Sequence, residues 1–287
     1  MSRGRHHSGL RRLALEVLDA LLLDGLLAGW SYRCGLHGRL RVSEHEVRLA
    51  ENRWLPRPLL LAFASDFHAG PATDPRMFTS LVQQLTQCRP DVLLLGGDYV
   101  SCRAGQMEVL ARELARVDPP LGKYGVLGNH DLLTDDEHIV RRLAGAGVQM
   151  LINGNRPLPA PFEDVWICGI DDPWTGNADV SQTFAGADGV RIFLTHSPDG
   201  LLLLGGHRLD LGFAGHTHGG QVALPDGTAI MGAGGPLARR YGRGRFELEG
   251  NGVLFVSRGV GCSNLPIRIN ADPELILCRI VAPGASR

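Results

Sequence analysis

The stretch LLLAFASDFH (residues 59–68) sets an unbroken apolar run directly against an aspartate and a histidine, Asp66 and His68. Such a run, without alternation, reads as a strand buried on both faces. The same plan recurs four times. DVLLLGG (91–97) runs into Asp98, YGVLG (124–128) into Asn129-His130-Asp131, VRIFLT (190–195) into His196, and DLGFAG (210–215) into His216-Thr217-His218. Helical stripes lie between several of these runs. Asp74-Pro75 opens one with Met77, Leu81, Val82 and Leu85; Met107, Leu110, Leu114 and Val117 mark a second; Thr134 and Glu137 form a capping box for a third. FELEGNGVLFVSRG (246–259) carries a Gly-Asn-Gly turn between two strand-like runs, and ELILCRIV (274–281) reads as a closing strand. Strand–helix alternation predicts an α/β domain with much parallel pairing. Ligands of such sheets bind outside the carboxyl ends of the strands, so these distant clusters are expected to meet in space.

Collected, the clusters supply Asp66, His68, Asp98, Asn129, His130, His196, His216 and His218. Imidazole, carboxylate and carboxamide donors suit Mn, Fe, Co or Zn rather than calcium, and the lack of a thiolate disfavours a structural zinc site. Eight groups exceed what one tetrahedral ion needs, which favours two ions sharing a bridging carboxylate. Each fragment alone is a common chance pattern; five in order, each at a strand end, are not. In FAGHTHGGQV (213–222) an extended chain would turn His216 and His218 to the same side. Gly215 would let the strand end turn, and Gly219-Gly220 would leave open space for a ligand beside the imidazoles.

The 287 residues are 44% apolar and 21% charged, ordinary for a globular protein, and a net charge of −1 gives no field that favours nucleic acid. Lys123 is the single lysine. Six widely spaced cysteines form no C-x-x-C pair, so free thiols in a reducing compartment are expected. The N-terminal stretch turns from basic to leucine-rich, but Glu16, Asp19 and Asp24 interrupt it. Each acid at the centre of a span costs about 2.5–3.5 kcal/mol against about 0.3–0.6 returned per leucine. Arg12, Glu16 and Asp19 share one side of a helical wheel, largely opposite Val17, Leu18, Leu21 and Leu22, which predicts an amphipathic helix rather than a span. Such a helix either docks on its own domain or lies on a membrane with Arg3, Arg5, Arg11 and Arg12 at anionic headgroups. Residues 1–45 are therefore read as an extension and 46–287 as the catalytic domain.

SDFH, GGDYV, GNHD, THSPD and GHTHGG resemble, in order, the motif blocks of the calcineurin-like metallophosphoesterase superfamily, across roughly residues 56–281. GHTHGGQV, VSRGVGCSNLPIRI and DPELILCRI resemble the bacterial YkuE and YaeI type of phosphodiesterase, a subgroup that includes enzymes acting on UDP-2,3-diacylglucosamine in lipid A synthesis. The resemblance implies a four-layer α/β/β/α sandwich of two mixed sheets flanked by helices. It also implies two divalent ions, Mn2+ first with Fe, Zn, Co or Mg as alternatives. Asp66, His68, Asp98 and His218 would hold one ion, and Asp98, Asn129, His196 and His216 the other. A bridging hydroxide would attack phosphorus while His130 donates a proton or hydrogen bond, with Asp131 as the local candidate to orient it.

Ser101 and Cys102 stand where the superfamily's protein phosphatases carry Asp and Arg, which favours a small-molecule or lipid-linked phosphoester. Asp171, Asp172, Arg258 and Arg268 are further substrate-contact candidates, each against a plainer reading as turn or solvent-facing residues. The reading that results is a phosphodiesterase or pyrophosphatase, cytoplasmic and peripheral on the inner membrane, with UDP-2,3-diacylglucosamine as a specific candidate. A general small-molecule phosphoesterase, a mononuclear metallohydrolase and an idle metal-binding scaffold are the alternatives.

Overall fold

The structure, a computed structural model, describes residue 17 and residues 20–283. Its strands are β1 (Arg41–Arg48), β2 (Leu59–Ala64), β3 (Val92–Leu95), β4 (Lys123–Gly125), β5 (Val148–Met150) and β6 (Gly154–Pro157). They continue with β7 (Val165–Gly169), β8 (Val190–Leu194), β9 (Leu211–Ala214), β10 (Gly244–Glu247), β11 (Val253–Val256) and β12 (Glu274–Val281). Two six-stranded mixed sheets result, in the orders β1-β12-β2-β3-β4-β5 and β10-β11-β9-β8-β7-β6.

The apolar runs are buried on both faces because each sheet has a layer on either side. In β2, Leu61 and Phe63 face the second sheet, meeting Ile167, Ile192, Phe213 and Phe255. The phenylalanines interlock there, with Phe63–Phe213 and Phe213–Phe255 centroids both 5.3 Å apart. Ala62 and Ala64 face the other way, toward the apolar stripes of α2 (Arg76–Cys88), α3 (Met107–Leu114) and α4 (Asp136–Gly145). Each fully buried leucine or phenylalanine contributes about 1.5–3 kcal/mol. The second sheet's outer face is covered by shorter pieces, including α5 (Val180–Thr183) and a 3-10 turn at Pro198–Leu203. The four-layer sandwich is therefore as expected.

Local differences have local causes. The N-cap of α4 is Asp135, which accepts from the His138 N–H, while Thr134 Oγ1 accepts from the Ala104 N–H instead. Lys123 is buried and donates to the carbonyls of Leu114 and Val117, closing the end of α3. Strand β1 pairs in parallel with β12 along its whole length and so crosses the expected division between residues 45 and 46. Its charged sequence, RVSEHEVR, hides it because it is an edge strand with one half-exposed face.

At the N-terminus, α1 (Leu26–Arg33) packs through Ala28 and Ser31. Leu23, Asp24 and Gly25 just before it have positive φ, so a continuous helix from the preceding residues into α1 breaks there. Arg3, Arg5, Arg11, Arg12, Glu16, Leu18 and Asp19 lie outside the described residues. No helix among the described residues is long and apolar enough to cross a membrane.

Candidate metal centre

Parallel β2, β3, β4, β8 and β9 end at one edge of the sandwich, and the loops beyond them bring the sequence clusters together. Asp66, His68, Asp98, His216 and His218 all have positive φ, between 42° and 70°. For non-glycine residues this costs about 1–3 kcal/mol each and persists only where surrounding bonds enforce it. Those bonds are present: the backbone N–H of His68 donates to Asp98 O at 2.9 Å, and that of His216 to Asp66 Oδ1 at 2.9 Å. The chain at 216–218 is thus a sharp turn, not an extended segment. His216 and His218 consequently point to different partners.

His218 Nε2 lies 2.9 Å from His68 Nε2 and 3.6 Å from Asp66 Oδ1. His216 Nδ1 lies 3.3 Å from His196 Nε2, which is 3.1 Å from Asn129 Oδ1. Asp98 joins the two groups: its Oδ2 is 3.5 Å from His68 Nε2 and 3.3 Å from His196 Nε2. Asp66–His68–His218 and Asp98–His196–His216 each bring their donor atoms within 4.8 Å of one another.

Hydrogen bonds behind the rings decide which nitrogen faces inward. His196 Nδ1–H donates to Gly96 O at 2.7 Å, and His216 Nε2–H donates to Gly234 O at 3.2 Å. In the neutral form that binds metal, His196 Nε2 and His216 Nδ1 turn their lone pairs toward each other, which suits a cation held between them, so the donor set fits divalent metal. The electrostatics agree. Burial pushes the Asp66 carboxyl up to about 6, and burial plus neighbouring charge push the His68 and His216 imidazoles down to about 3 and about 4. Burial also opposes a proton on His196, yet the carboxylates of Asp98 and Asp66 more than offset it and hold its pKa well above the ordinary value. The field at that nitrogen calls for positive charge.

His130 borders the mouth of a cavity of about 280 Å3 that also meets Asp98, Asn129, His216 and His218. Its Nδ1–H donates to Ser101 O at 2.6 Å, leaving Nε2 for the cavity. Asp131 does not perform that orientation. Its carboxylate is buried and accepts from the N–H groups of Tyr99 (2.8 Å), Val100 (3.3 Å) and Gly128 (2.9 Å), tying the β3 loop to the β4 loop.

The four substrate-contact candidates are each engaged by groups of the protein itself. Asp171 and Asp172 are buried and bind the N–H groups of their own turn, including Asn177 (3.0 Å) and Thr175 (2.7 Å). Arg258 bonds Glu274 at 3.0 Å. Arg268 is buried and directs its guanidinium at the carbonyls of Arg258 (2.9 Å), Ala271 (2.8 Å) and Gly261 (3.0 Å), with Nη2 3.3 Å from His218 Nδ1. Nor do Gly219 and Gly220 make space for phosphate. A Cβ on Gly219 would meet Arg258 at 2.6 Å, and one on Gly220 would meet Ala229 at 2.5 Å. Gly215 lies against Ser65 and Asp66 in the same way. Sequence reasoning missed the ring-orienting carbonyls of Gly96, Ser101 and Gly234, because a carbonyl leaves no mark in residue type. It also missed Gln221, whose amide clamps Ser263 and Leu265 at the cavity rim.

Residues 59–220 match the calcineurin-like phosphoesterase family, and the chain belongs to it. It is a metal-dependent phosphoester hydrolase. Its relatives include Phosphodiesterase YaeI of Escherichia coli K12, 27% identical over 94% of this chain and 99% of that protein. A metallophosphoesterase of Bacillus subtilis, YkuE, is 28% identical over 92% of this chain and 95% of its own length. A zebrafish transmembrane protein with a metallophosphoesterase domain is 29% identical over 76% of this chain, which spans 52% of it.

Proposed function

We propose that the chain hydrolyses a phosphodiester or diphosphate bond at a dinuclear centre. In this reading Asp66, His68, Asp98 and His218 hold one ion, and Asp98, Asn129, His196 and His216 the other, with Mn2+ as the first candidate. The observation that carries it is the position of Asp98 Oδ2 between the two histidine pairs, 3.5 Å from one and 3.3 Å from the other. A carboxylate suits that place because one anionic group must serve two cations. Two ions bound there would supply Lewis acidity toward the phosphoryl oxygens and lower the pKa of an attacking water.

The protein's own groups do the rest. The Gly96 and Gly234 carbonyls lock the His196 and His216 tautomers, so the donor set needs little rearrangement. His130, held by the Ser101 carbonyl through Nδ1–H, turns Nε2 to the cavity, where its doubly protonated form would donate a hydrogen bond or proton to the departing oxygen. Asp131 keeps that loop in place through the backbone N–H groups of Tyr99, Val100 and Gly128.

For the substrate, we propose a diphosphate joining a nucleoside to a lipid-bearing sugar, with UDP-2,3-diacylglucosamine as the specific candidate and UMP as the released product. Supporting this are the phosphodiesterase name of a relative and the transmembrane character named for another, together with Ser101 and Cys102 in place of a protein-phosphatase signature. Peripheral contact with a membrane through the N-terminal segment belongs to the same proposal. Its test is turnover of bis-p-nitrophenyl phosphate and UDP-2,3-diacylglucosamine with several metals. Cleavage of the first without the second would discard the lipid substrate; cleavage of neither would discard the activity.

A further inference from the structure

We infer that the whole rim of the metal centre, and not the N-terminal segment alone, is a surface that docks on an anionic lipid bilayer. The inference deepens the proposed function by placing the mouth of the site in the membrane plane. It begins from where apolar side chains are exposed. Trp54, Leu202 and Leu203 apart, every exposed large apolar residue among the described residues stands on the N-terminal segment or on three loops at the mouth of the site. Those loops follow β7, β9 and β11.

Two elements dominate. On α1, Leu26 is 73% and Trp30 58% exposed, one turn apart on the same stripe, while the opposite face is fixed by Ala28 and Ser31. On the loop after β9, Ile230 is 61% exposed, and its neighbour Met231 lines the cavity beside His216 and His218. Hydrogen bonds connect the two. Ser31 Oγ donates to Pro266 O, and the Arg268 N–H donates to Leu36 O at 2.8 Å, so the loop after β11 is stitched to the N-terminal segment. The same loop reaches the β9 loop, where the Ala223 N–H donates to Ile269 O at 2.9 Å and the Ile230 N–H to Val222 O at 2.8 Å. Leu265 and Ile269, both partly exposed, fill the interval. A contiguous apolar rim of this kind marks an interaction surface rather than scattered exposure.

Charge selects the occupant. The sequence that leads into α1 carries Arg3, Arg5, Arg11 and Arg12 ahead of Glu16, Asp19 and Asp24, so its basic charge is concentrated at the far end from α1. Arg33 closes α1, and Arg239 and Arg240 are exposed beyond the β9 loop. Leucine, isoleucine and tryptophan flanked by arginine is the composition of a surface that enters the headgroup layer of an anionic bilayer, each arginine adding attraction within a Debye length. A second copy of the chain would bring a second set of arginines against the first.

The test is flotation of the full chain with vesicles of phosphatidylcholine alone or with 30% phosphatidylglycerol at low salt. Binding to the anionic vesicles is expected, falling about fivefold or more in both L26S/W30S and I230S. Both variants should turn over soluble bis-p-nitrophenyl phosphate as the parent does, which shows them folded. Undiminished binding of I230S would overturn the role of the mouth. So would failure of the parent to bind, or a parent dimer that L26S/W30S abolishes without any vesicle binding. Loss of the proposed hydrolytic reading would appear separately, as absent turnover with vesicle binding intact.

Discussion

Asp98 Oδ1 accepts the backbone N–H of His130 at 2.8 Å while its Oδ2 faces His68 and His196. One carboxylate thus joins the two ligand groups and also positions the loop that carries the proton donor. Asp98→Asn is expected to lower kcat/KM at least about 100-fold and to remove one metal equivalent, because an amide supplies neither the charge nor a second anionic oxygen. Steady-state kinetics with metal analysis of the same sample checks both.

His130→Ala should separate chemistry from metal binding. Its ring meets the His68 ring edge-on at 4.7 Å, and a ring nitrogen lies within 4.8 Å of donor atoms of His68 and Asp98. A fall of about 10²–10⁴ in kcat is expected with metal content unchanged. Loss of metal in that variant would make His130 a ligand rather than a donor.

Arg268 acts from behind the site. Arg268→Met leaves buried carbonyls of Gly261, Arg258 and Ala271 without donors and frees the back of His218. Destabilisation of about 1–3 kcal/mol is expected, with about 10–100-fold weaker metal affinity and little change in KM at saturating metal. Arg268→Lys should rescue only part, since one ammonium does not reproduce the guanidinium fork. A raised KM with metal affinity intact would instead make Arg268 a substrate contact.

Gly215→Ala tests the close approach of strand and ligand. The new Cβ would lie 2.5 Å from Ser65 Oγ and press on the Asp66 carboxylate, both buried. About 1–3 kcal/mol of destabilisation is expected, with reduced metal affinity, read by thermal melts with and without Mn2+. Unchanged melts would show that the backbone has room to yield.

His37 gives a pH dependence remote from the metal ligands. It is fully buried, 3.2 Å from Pro266 O, and its Nε2 accepts the Asp74 N–H at 3.4 Å. Burial, with the Arg268 charge, lowers its pKa from 6.5 to about 4. Between these values the unfolded chain takes up a proton that the folded chain does not. Its contribution is therefore full above about pH 6.5 and is lost as pH falls toward 4, at most about 3 kcal/mol. His37→Gln should flatten the fall in Tm over that range; an identical slope would contradict the assignment.

Much of this was legible in the chain because burial on both faces writes itself as apolar runs, and ligand chemistry as residue type. LLLAFA and VLLL became β2 and β3, and the clusters after them converged. Edge strand β1 was not legible, since a half-exposed strand tolerates RVSEHEVR. The site lost legibility where the backbone acts. The turn at His216–His218 and the carbonyls behind the rings depend on tertiary closure, not on residue identity. The carbonyl partners of Arg268 were hidden for a related reason: an arginine in a glycine-rich loop reads as a phosphate ligand, and the loop's own carbonyls that it satisfies leave no mark in residue type.

The most direct test of the dinuclear centre is electron paramagnetic resonance of the full chain titrated with Mn2+. An exchange-coupled spectrum at saturation is predicted for the parent, and its loss in Asp98→Asn. A spectrum of isolated, uncoupled Mn2+ at saturation of the parent would contradict it.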